Sequence, residues 1–263
     1  MFDTYFEAFL ADNPIGKEIH YRIRYQVYCS ETGWENPLAF PDQMEKDSFE
    51  DHAAHFIVRT RATGDWIAAM RLVVGPLDQL PVSHFATIDE KLLASFMSGT
   101  PVEDQKHSVE VSRLCVVSQY RRRAHERNTP FQVPWNPEDS SPLVPTSPTE
   151  RRRAPWLMLG MFRAAVDYSA ENGIRFWFFL IADSLARILQ SLGIELQLIG
   201  PGTEHRGIRR PYVRALKQGA TTIERKSHDV FESLTQGAHF RLFSELKKDE
   251  YKMPVALGSS ASS

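Results

Sequence analysis

The stretch His107-Ser-Val-Glu-Val-Ser-Arg-Leu-Cys-Val-Val117, HSVEVSRLCVV, decides how the rest of the chain is read. Its valines, leucine and cysteine mark a buried strand, yet Glu110 and Arg113 stand in its middle. An unpaired buried charge is very costly, so each needs a partner or access to water. The two residues are three positions apart, and a regular strand sends such residues to opposite faces. Either they serve different faces or a bulge re-aims one of them, and bulges are frequent beside active sites.

Upstream, residues 55–60 and 66–74 read as two strands joined through Thr63-Gly64-Asp65, a hairpin signal. Arg71 lies inside IAAMRLVV, where alternation places it with Ile67, Ala69 and Val73. Glu110 is a candidate carboxylate partner for it. A structural ion pair, or an edge strand whose arginine meets water, explains Arg71 equally well. Residues 17–29 carry Ile19, Ile23 and Val27 at helical spacing. Residues 36–52 are polar and without period, and they gather Glu45, Asp47, Glu50 and Asp51 in a loop whose simplest reading is a solvated acidic surface. A short helix is expected near 88–97.

Downstream, residues 119–155 hold two arginine triplets and prolines at 130, 134, 137, 142, 145, 148 and 155. Such a segment cannot pack a core, and it predicts a mobile surface insertion. Residues 156–171 form an apolar helix stopped by Asn172-Gly173, and residues 174–181, IRFWFFLI, read as a fully buried strand. Asp183 or Ser184 caps the next helix, Gly193 ends it, and residues 194–199 are a further strand. That strand–helix–strand unit takes a right-handed crossover if its strands are parallel and adjacent. A hairpin first and helix–strand units later make the class mixed α/β or α+β, in a single domain with a disordered tail at GSSASS.

The chain has 263 residues, 42% of them hydrophobic, enough for a substantial core. A net charge of −2 argues against nucleic acid as a partner of the whole molecule. Cys29 and Cys115 show neither metal nor redox spacing, and no metal site is expected. The acidic start MFDTYFEAFLADNP lacks the basic flank of a signal peptide, and no apolar run approaches a membrane span. The expectation is a cytoplasmic protein in a reducing compartment.

Four elements in order resemble the acyl-homoserine-lactone synthases. IRYQVYCSETGWE (23–35) is similar to that family's opening signature, with Arg24, Tyr28, Gly33 and Trp34. MEKDSFE (44–50) is similar to its acidic element, AAMRLV to its strand arginine, and EVSRL to its Glu-x-Ser-Arg strand. The resemblance covers about residues 17–117 and implies a GNAT-like acyltransferase fold: a central mixed, largely antiparallel sheet flanked by helices, whose fourth and fifth strands splay to admit a phosphopantetheine arm. Glu110 would then face the reaction cleft as the base that deprotonates an amine, with Asp47, Arg71 and Arg113 holding it and the acceptor. A partly dry cleft would raise its pKa toward the working range. Arg24, Tyr28, Trp34 and Glu50 fall in the substrate-binding elements. Met158, Leu159, Phe162, Trp177 and Phe179 either line an acyl slot or are simply core.

Two departures, the arginine- and proline-rich insertion and HRGIRRPY (205–212), are more similar to N-acyl amino acid synthases and the acyltransferases of the exosortase/PEP-CTERM system. So is Glu50, which stands where the lactone synthases have Asp. They shift the expected acceptor from S-adenosylmethionine to an amino acid or small amine. Arg206, Arg209 and Arg210 offer cations for an acceptor carboxylate, although surface positions serve them equally well. SQYRRRAHE lacks the glycine that close approach to a CoA pyrophosphate usually needs, which favours an acyl carrier protein over CoA as donor. Arg121, Arg122, Arg123, Arg151, Arg152 and Arg153 would dock that acidic carrier. No cofactor is expected to stay bound, and membrane contact is limited to transient contact with a lipid-like product. The rival readings are a homoserine-lactone synthase and a non-catalytic acyl-binding regulator.

Overall fold

The computed structural model describes residues 2–120, 154–191, 194–216 and 240–254. Residues 121–153 of the expected insertion, with both arginine triplets, and the GSSASS tail lie outside the described residues, while Ser118–Tyr120 form a single helical turn and Ala154 already begins a helix. The chain runs α1 (Phe2–Tyr5), β1 (Phe6–Leu10), α2 (Pro14–Tyr25), β2 (Ala53–Thr60), β3 (Trp66–Val74), α3 (Pro81–Phe85), α4 (Glu90–Phe96), α5 (Val102–Gln105) and β4 (Ser108–Val116). It continues through α6 (Ala154–Glu171), β5 (Phe176–Ile181), α7 (Asp183–Ser191), β6 (Gln197–Leu198), β7 (Thr203–Glu204), β8 (Ile208–Ala215) and β9 (Arg241–Leu242). The sheet order is β6-β8-β5-β4-β3-β2-β1-β9, with β7 paired to β8.

The β2–β3 hairpin forms as its turn residues predict, with Gly64 at φ +73°. All but the last residue of β3 is buried, because the strand lies mid-sheet with both faces covered. Ile19 and Ile23 of α2 and Met161 and Ala165 of α6 join Phe56 and Met70 in the larger core. A second core gathers Val73, Val82, Met97, Phe178 and Val213. Strand alternation divides β5 between them: Trp177 and Phe179 enter the first, Phe176 and Phe178 the second. Asn13 caps α2 by accepting from the Gly16 N–H at 2.9 Å. The helix then loosens into a π-turn over Gln26–Glu31.

β4 resolves the puzzle of its two charges. It runs antiparallel to β3, but Ala69 pairs with Cys115 while Arg71 pairs with Ser112, so β4 holds one residue more than its partner. The extra residue is a bulge, and Arg113 sits in it at φ +52°. A non-glycine residue there costs about 1–2 kcal/mol. The bulge swings Arg113 onto a side that regular pleating denies it.

On its other edge β4 runs parallel to β5, paired only as Ser108–Phe176, Val109–Trp177 and Glu110–Phe178. Beyond Glu110 the two strands part, and β5 continues against β8 alone. The expected splay is therefore present, and it opens at Glu110. The expected strand 194–199 shrinks to two residues, and it is not adjacent to β5, because β8 lies between them and is antiparallel to both.

Candidate active site

A cavity of about 150 Å³ occupies the gap between the parted strands. β4 supplies Glu110 through Val116, and β5 supplies Phe179, Leu180 and Ile181. Met158 and Phe162 of α6, with Leu185 and Leu189 of α7, add an apolar wall. Asp47, Arg71, Tyr28 and Trp34 line the polar end. Trp177 and Leu159 do not line the cavity. Trp177 is buried in the core, with its ring N–H donating to Ser169 Oγ at 2.9 Å.

Behind the polar end, three guanidiniums interlace with three carboxylates. Arg24, fully buried, donates from Nε to Glu45 and from Nη1 to Glu50 Oε1 at 2.8 Å. Arg71 Nη1 donates to Asp47 Oδ1 at 2.6 Å and Glu50 Oε1 at 2.8 Å, and its Nε to Ser112 Oγ at 3.2 Å. Arg113 Nη2 reaches Asp47 Oδ2 at 2.8 Å and Glu45 Oε1 at 3.2 Å. His55 Nε2 lies 2.6 Å from Glu50 Oε2. The acidic loop is thus no solvated surface. Glu45 is buried and Asp47 and Glu50 are largely so, while Asp51 alone of the four is exposed. Burial by itself would raise the pKa of Glu45, Asp47 and Glu50, but the neighbouring arginines, and His55 for Glu50, hold all three below the ordinary carboxylate range.

Glu110 belongs to another environment. Its neighbours Val109 and Val111 enter the larger core, while its carboxylate accepts from the Val82 N–H at the start of α3. Arg71 pairs with Asp47 and Glu50 rather than with Glu110, and Asp47, Arg71 and Arg113 hold one another rather than Glu110. The reason is register: Arg71 stands opposite Ser112, two residues along from Glu110. Burial therefore dominates, and it raises the Glu110 pKa to about 7 against the opposing pull of the Val82 N–H and the more distant arginines.

At the mouth, Tyr28 and Trp34 stack with ring centres 5.9 Å apart. Arg206 lies over Tyr28 and Arg209 over Trp34. His205, Arg206 and Arg209 all line the cavity, whereas Arg210 turns to Asp183 at 3.1 Å. Glu45, Ser112 and His205 join the site from inside the quoted motifs without having been assigned a role there, and His55 joins it from outside them. Spatial convergence alone marks His55.

Residues 23–128 match the family model described as an acetyltransferase (GNAT) domain. No curated protein matches the sequence. Among solved structures, a CoA-dependent acyl-homoserine lactone synthase, BjaI, with MTA is 18% identical over 90% of this chain and 95% of its own, with a TM-score of 0.54. FeeM, an N-acyl amino acid synthase from uncultured soil microbes, is 14% identical over 84% of this chain and 95% of its own, with a TM-score of 0.51. The AHL synthase LasI is 15% identical over 80% of this chain and 89% of its own, with a TM-score of 0.50. Residues 23–128 are thus similar to a GNAT acetyltransferase domain, and the chain has the fold shared by acyl-homoserine-lactone synthases and an N-acyl amino acid synthase.

Proposed function

We propose that the protein is an N-acyltransferase that moves a long-chain acyl group from an acyl carrier protein or CoA thioester to the amine of an amino acid or related small amine. The observation that carries this reading is Glu110, a buried carboxyl titrating near 7 where β4 and β5 part, on a cavity with an apolar wall. A base poised near the working pH can accept a proton and still be ionised beforehand.

The acceptor arrives as an ammonium, and Glu110 takes one proton from it. The freed nitrogen attacks the thioester carbon, a C–N bond forms, and the carbonyl electron pair moves onto oxygen. On collapse the C–S bond breaks, the nitrogen's second proton goes to the departing thiolate, and the proton on Glu110 returns to water. The Arg71–Asp47–Arg113 frame fixes Ser112 and the bulge, and with them the floor on which the acceptor rests. The aliphatic and aromatic wall from α6, α7 and β5 takes the acyl chain. Carrier docking through the triplets at 121–123 and 151–153 belongs to the same proposal. So do the single-domain arrangement and the cytoplasmic site of action.

The test is to incubate purified protein with a long-chain acyl-carrier thioester and, separately, a pool of amino acids or S-adenosylmethionine, followed by mass spectrometry. N-acyl amino acids in the first tube are the expected result. S-adenosylmethionine is the second acceptor to weigh, because the Tyr28–Trp34 stack of the lactone-synthase-like signature does line the cavity. An acyl-homoserine lactone with methylthioadenosine, in the second tube alone, would establish that reading instead. Acyl ligand bound with no transfer in either tube would make the protein a non-catalytic binder.

A further inference from the structure

The cations around the cavity are matched with carboxylates one by one until a single one is left. Arg71 and Arg113 are held by Asp47, with Glu50 and Glu45 behind. Arg206 pairs with Glu35. Arg210, outside the cavity, pairs with Asp183. Arg209 lines the cavity, and among the described residues no carboxylate lies within ion-pair distance of it. It is held by its own loop instead, donating to the carbonyl oxygens of His205 at 3.3 Å and Arg206 at 2.9 Å while its plane lies over Trp34. That anchoring orients the guanidinium, and Glu204 acts on its charge only from beyond ion-pair distance.

We propose that Arg209 is the residue that receives the carboxylate of the acceptor, so that the substrate class is an α-amino acid, zwitterionic as it arrives, rather than a simple amine. This rests on the N-acyltransferase reading above. A planar guanidinium preset by two backbone acceptors and an aromatic face loses little freedom on taking a carboxylate. His205 adds no rival charge: burial first, then Arg206, Arg113 and Arg209, lower its pKa to about 4, so it is neutral at working pH.

The experiment has two arms, each run on the wild type and on Arg209→Met, which keeps an unbranched stem, with Arg209→Lys keeping the charge without the fork. In the first arm the acceptor is a mixture of L-amino acids or the matching carboxamides, with an acyl-carrier thioester as donor. The wild type should prefer acids to amides by about 10–100-fold, the size of a charged hydrogen bond, with the preference collapsing in Arg209→Met and partly restored in Arg209→Lys. In the second arm, binding of N-dodecanoylglycine and N-dodecanoylglycinamide is measured by titration calorimetry. Tighter binding of the acid in the wild type alone supports the proposal whether or not acyl transfer is seen. Transfer without an Arg209-dependent preference for acids would overturn the carboxylate site and leave the N-acyltransferase reading standing. Arg209-dependent binding without transfer would do the reverse, and neither would remove both.

Discussion

Two sets of buried carboxylates lie within one site and are held in opposite states. Glu45, Asp47 and Glu50 touch three guanidiniums and stay ionised far below neutral pH. Glu110 touches one backbone N–H and titrates near 7. Burial raises the pKa of all four, so what differs is the company each keeps. The first set acts as framework, with its charges spent on one another. The second is a single group that exchanges its proton near neutral pH.

The sharpest way to break this contrast is Glu110→Gln. It keeps the shape and removes the proton acceptor, so turnover should fall about 10²–10⁴-fold with the circular dichroism spectrum unchanged. Wild-type turnover in a folded variant would end the assignment. On the framework side, Arg24→Met leaves Glu45 and Glu50 short of their shared cation. Stranding buried charge in this way should cost about 3–5 kcal/mol in chemical denaturation.

Acidity separates the two sets by sign. The Glu110 pKa is raised from 4.5 to about 7, so its contribution to stability is complete below about 4.5 and is lost as pH climbs to about 7. The loss is on the order of 3 kcal/mol, and Glu110→Gln should flatten it. Turnover should move the other way, rising with pH through about 7. The framework carboxylates are lowered, so their contribution is present above the ordinary carboxylate range and disappears as pH falls. Denaturation and pH–rate profiles on the two variants would separate these slopes. The smallest effect is expected from Arg113→Gly. It abolishes two ion-pair contacts but relaxes a residue held at φ +52°, so the net destabilisation should fall below that of Arg24→Met.

The hairpin, the strand at 107–117 and the helices on either side of β5 were legible because local signals govern them: a glycine turn, apolar runs and capping residues. The bulge was visible as a conflict between Glu110 and Arg113 that regular pleating could not satisfy. The burial of the acidic loop was legible through the resemblance alone and not from local pattern, since its partners Arg24, Arg71 and Arg113 lie on other elements and nothing local distinguishes a buried carboxylate from a wet one. Register likewise hid the partner of Arg71. β8 was missed because Arg209, Arg210, Pro211 and Arg214 hide a strand pattern. Its place between β5 and β6 also overrode the simpler adjacency expected of them. Trp177 shows the converse limit, as an aromatic beside a cavity-lining Phe179 that belongs to the core.

The parting of β4 and β5 leaves the sheet open along an inner edge. From Val111 to Val116, β4 has a strand partner on the β3 side only, and from Phe179 to Ile181, β5 has one on the β8 side only. The peptide groups between them lack the ladder that protects the rest of the sheet. Amide hydrogen exchange should therefore be faster here than in β2 or β3, although the surrounding residues are largely buried. A thioester donor with amide groups in its arm would supply the missing contacts, and ligand binding would then slow exchange selectively along this seam and raise the melting temperature with donor concentration. One inner row of the sheet's backbone thus differs from every other in having a strand on one side alone.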